Sequence, residues 1–193
     1  ATTEIYTLSL HAALPIWRTF LPLLQGVCVG GSTTINSAIV WRLPQDVYDD
    51  WARNYGIGPA INADLVEPIF DRLERALNVH PVAEDVLGRN STIMRDGMRK
   101  LRIEPHTIER NERGCRGSAR CAQGCPNGAK LSTALTCIPW TLERGGRIYT
   151  NTRAVRVRST RGNATGVEAV TAAGGKLSLM ARRGVILAAS TVQ

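Results

Sequence analysis

Apolar positions along the chain follow two periods. Over residues 63–79, ADLVEPIFDRLERALNV, they recur at 65, 66, 69, 70, 73, 76 and 77, the spacing of an amphipathic helix. Pro68 falls in the first turns, where proline is tolerated better than in a helix interior. STIMRDGMRKLRI at 91–103 is a second amphipathic stretch, and DVYDDWARNYG at 46–56 predicts a short helix closed by Gly56. From about residue 146 the period becomes two. RIYTN, RAVRVRST, ATGVEAVTA and KLSLMA alternate apolar and polar residues, with RGN and AAGG turns between them. That pattern predicts a small antiparallel meander. GVILAA at 184–189 is continuously apolar and reads as one buried strand of a central sheet. Upstream, the apolar stretch WRTFLPLLQGVCV at 17–29 runs into Gly30-Gly31-Ser32-Thr33. Ser32 or Thr33 can cap a helix over roughly 33–42, and the polar, Gly- and Cys-rich residues 104–130 predict irregular structure. The fold class is α/β in the mixed sense, helices first and meander last.

Composition narrows the function classes. With 193 residues, 44% hydrophobic and 21% charged, the chain suits a globular protein. No apolar run approaches the ~20 residues that span a bilayer, and nothing marks secretion. A formal charge of +8 points toward anionic partners. The basic residues scatter through 95–120 and 142–162, and only 5% of residues are aromatic. The basic and aromatic interleaving of a nucleic-acid binder is missing, so no nucleic-acid partner is predicted.

Residues 1–16, ATTEIYTLSLHAALPI, fit neither a signal peptide nor a continuous helix, because Thr7, Ser9 and His11 interrupt the apolar positions. They resemble a translated short-read sequencing adapter, departing from it only at Ala12, where the adapter gives aspartate. Residues 17–193 then read as an internal segment of a longer protein.

GVCVGGSTTINSAIVWR at 26–42 carries the strongest chemical signal. Glycines let a bound group approach the backbone, and amides at a helix start favour phosphate. Asn36 follows Ser32 by one helical turn, so both can face one ligand. With its continuation LPQDVYDDWAR, the segment resembles the first signature of the glucose–methanol–choline (GMC) family of flavoprotein oxidoreductases. Gly30, Gly31, Ser32, Thr33, Asn36, Arg42, Asp46 and Trp51 fall where that family places its motif residues. The resemblance implies FAD as cofactor. It implies Gly30, Gly31 and Ser32 beside the pyrophosphate, and Asn36 with the backbone of Ser37 and Ala38 toward the isoalloxazine. Cys28 and Val29 resemble the branch acting on long-chain or large alcohols, whereas Val27 departs from the basic residue many members carry. In the meander, Ala154 is the position implied to bond the adenine by backbone, with Val155 as the alternative register.

Cys115, Cys121 and Cys125 lie in GCRGSARCAQGCPNGAKLST, spaced C-x5-C-x3-C-P. Disulfides would leave an odd thiol, and zinc lacks a fourth ligand at a suitable spacing. The C-P ending resembles bacterial ferredoxin motifs, and sugar dehydrogenases of the GMC superfamily carry a three-iron cluster on a similar spacing. A reduced structural loop near the flavin and an iron–sulfur cluster both remain open. Cys28 and Cys137 read as core residues. Lys130, Arg116 and Arg120 read as a solvated loop face, and His80 and His106 as isolated residues rather than catalytic bases.

These readings give three segments after the adapter-like one. Residues 17–62 are an FAD-binding segment, 63–140 a helical and Cys-rich segment toward the substrate side, and 141–193 the meander and strand of the FAD-binding domain. The implied activity is oxidation of the CH–OH group of a small-molecule alcohol by hydride transfer to flavin. Oxygen, a quinone or a protein carrier would accept the electrons. The catalytic His and its His or Asn partner are expected downstream and the G-x-G-x-x-G fingerprint upstream, so no catalytic residue is assigned in this chain. The alternative is a Cys-ligated iron–sulfur electron-transfer module, or a flavin dehydrogenase subunit carrying such a cluster.

Overall fold

The computed structural model describes residues 8–16, 19–58 and 61–189. Two compact units divide the chain, Ala1–Trp140 and Thr141–Gln193, and each is described by itself.

The first unit opens on a hairpin, β1 (Leu8–Ile16) antiparallel to β2 (Thr19–Gly26). Three helices follow, close to where periodicity predicts them. Helix α1 (Gln45–Tyr55) ends at Gly56, whose φ of +66° supplies the left-handed cap. Helix α2 (Ala63–Ala76) starts at Asn62, whose side chain accepts the Leu65 amide at 2.8 Å. Pro68 is inside this helix, and α2 stops at Ala76 because Asn78, at φ +50°, turns the chain into a strand. Helix α3 (Arg89–Lys100) starts two residues before the predicted span and ends three before it. Arg102 at φ +59° returns the Ile103 amide to the Met98 carbonyl at 2.9 Å, closing the helix end.

Two three-residue strands organise the unit, one at the end of the predicted 63–79 helix and one inside the predicted irregular stretch. β3 (Val79–Pro81) and β4 (Glu109–Asn111) pair antiparallel. They are too short for a period to show in sequence. Segment 38–40 bonds to β4 as well, through Val40 N to Glu109 O and Asn111 N to Ala38 O, both 3.1 Å. Leu131 N reaches Asn111 O at 3.1 Å, and Arg113 N reaches Ala129 O at 2.8 Å. β4 and the residues after it thereby hold the glycine turn and the cysteine loop together. Ile35, Ala38 and Ala129, the buried hydrophobic residues among those described in this unit, lie in that turn and loop. Helix α4 (Cys137–Glu143) follows.

The helix predicted over 33–42 does not form. A four-residue 3-10 turn, Gly31–Thr34, takes its place, capped by Gly30 rather than by Ser32 or Thr33. An α-helix would direct the Ala38 amide to the Thr34 carbonyl. Here the Thr34 carbonyl accepts from the Lys130 ammonium at 2.6 Å, and the Ala38 amide donates to Asn36 Oδ1 at 3.1 Å. A competing cation and an Asn side chain consume the groups helix propagation needs.

In the second unit, β5 (Thr152–Thr160), β6 (Asn163–Thr171) and β7 (Lys176–Met180) form the expected antiparallel meander in that order. Arg161 and Gly162 hold φ of +49° and +81° in the first hairpin, the twist-compatible choice for a two-residue loop. RIYTN is not a strand; the chain enters β5 through Asn151 at φ +50°. Nor is GVILAA a buried strand. Ile186 is 94% and Leu187 74% exposed, and no described strand pairs with them. Strand conformation needs a hydrogen-bonding neighbour, so the apolar run alone does not produce one. Ser190 lies outside the described residues.

Candidate functional site

Gly30 and Gly31 take φ of +93° and +54°, left-handed values that glycine adopts freely. Their surroundings differ. A Cβ on Gly30 would lie 2.8 Å from Ala134 Cβ, whereas one on Gly31 would meet nothing within 4 Å. Gly30 serves close packing, whereas Gly31 has open space where a side chain would stand, its amide donating to the Cys28 carbonyl at 2.9 Å and its carbonyl accepting from Thr34 Oγ1 at 2.7 Å. Hydroxyls fix the turn: Thr33 Oγ1 donates to Gly30 O at 2.6 Å and accepts the Thr133 amide at 3.0 Å. Ser32 Oγ accepts the Gly26 amide at 3.2 Å, and Ser32 remains exposed. Asn36 and Ser37 are exposed and Ala38 is fully buried at φ +60°. With no helix here, one-turn spacing no longer relates Ser32 to Asn36.

Lys130, read from sequence as part of a solvated face, is instead 4% exposed. Its ammonium donates to three carbonyls, Thr34 at 2.6 Å, Asn36 at 2.8 Å and Cys121 at 2.8 Å. Three donors meet three acceptors, which fills the capacity of the group. Among the described residues no carboxylate pairs with it. Burial lowers its pKa from the ordinary lysine value, an effect that the nearby Cys121 and Cys125 oppose. Hydrogen bonds to a charged group contribute about 1.5–3 kcal/mol each, so this clamp is a strong tie between turn and loop. Arg116 and Arg120 are exposed, as the sequence suggests.

The cysteine loop does not assemble a cluster site. Among the described residues no three of His, Cys, Asp and Glu gather into a metal-ligand set. Each thiol has its own neighbours. Arg110 Nη2 donates to Cys121 Sγ at 2.7 Å, and the Gly117 amide to Cys115 Sγ at 3.5 Å. The sulfur of Cys125 is desolvated, which raises its pKa, but the amides of Lys130, Asn127 and Ala129 outweigh this and the net direction is down. The three-iron cluster expected as one possibility therefore does not fit this arrangement. None of the five cysteines forms a disulfide. Cys28 is half-buried against Thr34 Oγ1 at 3.0 Å, and Cys137 is exposed rather than core, because α4 presents it outward.

His80 is not isolated. Its Nε2 lies 3.0 Å from Glu112 Oε1, and its Nδ1 2.8 Å from Pro81 O. His106 is exposed. Arg42, a motif residue, binds α2: Nε donates to Glu74 at 2.8 Å, Nη2 to Asp71 at 2.6 Å, and Nη1 to Glu67. Those carboxylates stand at i, i+4 and i+7, one helix face, a spacing visible in sequence once Arg42 is known to need partners. Glu74 is held below the usual carboxylate range by the Arg42 hydrogen bond. A cleft of about 910 Å³ is lined by Cys115, Cys121, Cys125, Arg110 and the α3 methionines Met94 and Met98.

In the second unit Ala154 pairs with Ala169 on β6, and the register shifts between Ala154 and Arg156. Val155 is thus the bulged residue and is 51% exposed. Bulges leave backbone groups outside the ladder, so both adenine-contact candidates sit where the strand departs from regular pairing.

Comparison with known proteins adds an independent finding. A family model described as GMC oxidoreductase matches residues 15–193. An uncharacterized GMC-type oxidoreductase of Sinorhizobium fredii is 37% identical over 75% of this chain and 28% of its own length. One of Mycobacterium tuberculosis is 33% identical over 93% of this chain and 28% of its own length. A long-chain-alcohol oxidase of Arabidopsis thaliana is 29% identical over 59% of this chain and 15% of its own length. The chain thus matches little more than a quarter of the bacterial relatives.

Proposed function

Because the chain belongs to the GMC oxidoreductase family, we propose that it is part of an FAD-dependent enzyme oxidising the CH–OH group of an alcohol. The observation that carries this reading is the turn at Gly30–Ala38. Gly31 holds a positive φ beside open space, and Ser32, Asn36 and Ser37 are exposed along the same short stretch. A glycine with no side chain to block approach, followed by exposed polar groups, fits a phosphate-and-ring cofactor. The name long-chain-alcohol oxidase, carried by two Arabidopsis relatives, supports an alcohol substrate of that kind.

When bound, FAD supplies the two-electron acceptor for the hydride leaving the alcohol carbon. This chain binds and orients. Gly30, Gly31 and Ser32 hold the pyrophosphate, and Asn36 and Ser37 meet the ring. Ala38 contributes as an anchor, since its amide is already taken by Asn36 Oδ1. Ala154, or Val155 at the bulge, bonds the adenine by backbone. Neither His80 nor His106 takes the hydroxyl proton. Residues 17–62 and 141–193 are assigned to the FAD-binding domain and 63–140 to the substrate side.

The test is to recover the complete gene, purify the encoded protein and record its visible spectrum before and after anaerobic addition of primary alcohols of increasing chain length. A flavin spectrum bleached by alcohol is expected. Iron and acid-labile sulfide without flavin would sink the reading. The 193-residue chain by itself is expected to retain FAD weakly or not at all and to show no turnover.

A further inference from the structure

We infer that Lys130 is a positioning residue for the flavin, holding the carbonyls of Thr34 and Asn36 inward so that the Ser37 amide faces out as a donor. The inference rests on the flavin reading above and adds to it a residue from a different loop.

The argument begins with peptide geometry. A peptide unit is planar and trans, so the carbonyl of one residue and the amide of the next point in opposite directions. The Asn36 carbonyl accepts from Lys130 Nζ at 2.8 Å, on the buried side. The amide of Ser37 therefore points away from the ammonium. Ser37 is exposed, and its amide donates to no acceptor among the described residues. Hydrogen-bond donors left free at the surface of a rigid turn are what an electron-rich ring atom requires.

The turn is rigid for reasons independent of Lys130. Ala38 sits at φ +60° with 0% exposure, a strained conformation for a residue with a Cβ. Its amide is held by Asn36 Oδ1 and its carbonyl by the Asn111 amide, both at 3.1 Å. Ser37 is thus fixed between two residues that cannot rotate freely. Lys130 completes the constraint at Asn36, and its third bond, to Cys121 O at 2.8 Å, ties the turn to the cysteine loop. A flexible stem ending in three tetrahedral donors suits carbonyls arriving from two separate segments. A planar guanidinium does not reproduce that geometry.

The test uses the complete flavoprotein and its Lys130→Met and Lys130→Arg variants, with hydrogen exchange resolved to the Ser37 amide and visible circular dichroism of bound flavin. In the wild type, FAD is expected to protect the Ser37 amide, which exchanges freely in the apoprotein. Lys130→Met is expected to raise the FAD dissociation constant about tenfold or more, to abolish that protection and to alter the flavin dichroism. Lys130→Arg should recover these only in part. If the methionine variant does not fold, the arginine variant decides by the same two readouts. Equal Ser37 exchange with and without bound FAD would overturn the proposal. So would a folded variant that loses thermal stability yet keeps wild-type FAD affinity, protection and dichroism. A wild-type protein that binds no FAD refutes the flavin reading itself, an outcome separate from either of these.

Discussion

Gly30 and Gly31 are neighbours with positive φ, yet a methyl group would meet different surroundings at each. At Gly30 it would press on Ala134 at 2.8 Å; at Gly31 it would enter open space. Gly30→Ala is expected to cost roughly 3 kcal/mol or more, combining backbone strain with overpacking. Gly31→Ala should cost only about 1–2 kcal/mol, the left-handed penalty of a Cβ. Urea unfolding of the two apoprotein variants checks the difference. On the flavin reading the order reverses for ligand binding per unit of stability lost, since only the Gly31 methyl projects where a cofactor approaches. The sequence marks both glycines alike. Only the position of Ala134, a hundred residues away, separates their roles.

Helix α2 shows the same division at the scale of an element. Its amphipathic period is readable from the sequence and places it within three residues, while the Asn62 cap emerges in the structure. What fixes it is Arg42, gripping Glu67, Asp71 and Glu74 on one face. The Glu74 carboxyl is held below its ordinary pKa by that contact. Between the lowered folded value and the ordinary one, the unfolded chain binds more protons, so stability rises with pH through this window. It is lost again as pH falls through the folded value. Glu74→Gln is expected to flatten this acid limb and to cost about 0.5–1 kcal/mol at neutral pH; thermal melts from acid to neutral pH measure both. The 33–42 segment is the converse case. Its local sequence allows a helix, and Lys130 prevents one by taking the Thr34 carbonyl.

At the scale of the whole molecule, burial is sparse among the described residues. Among the described residues no large side chain is fully buried, and Trp41, Tyr55, Leu101 and Ile186 are at least 73% exposed. Apolar surface of this extent ordinarily meets a partner surface. The 193-residue chain alone is expected to bind a hydrophobic dye such as ANS and to unfold with low cooperativity. A sharp calorimetric transition without dye binding would contradict that. Across the described residues no helix is long and apolar enough to cross a membrane.

The sequence by itself determined what depends on near neighbours. Helical and alternating periods placed α1, α2, α3 and the β5–β7 meander, and Arg161-Gly162 marked a hairpin turn that the backbone dihedrals repeat. The motif from Gly30 to Trp51 carried the family. Tertiary structure decided what depends on distant partners. It turned a predicted helix into a 3-10 turn, exposed GVILAA for want of a neighbouring strand, and separated three thiols that share a ligand-like spacing. It also buried Lys130 under three carbonyls from residues 9, 94 and 96 positions away. No local pattern encodes such a contact, because the free energy that buries a charge comes from acceptors the fold brings to it.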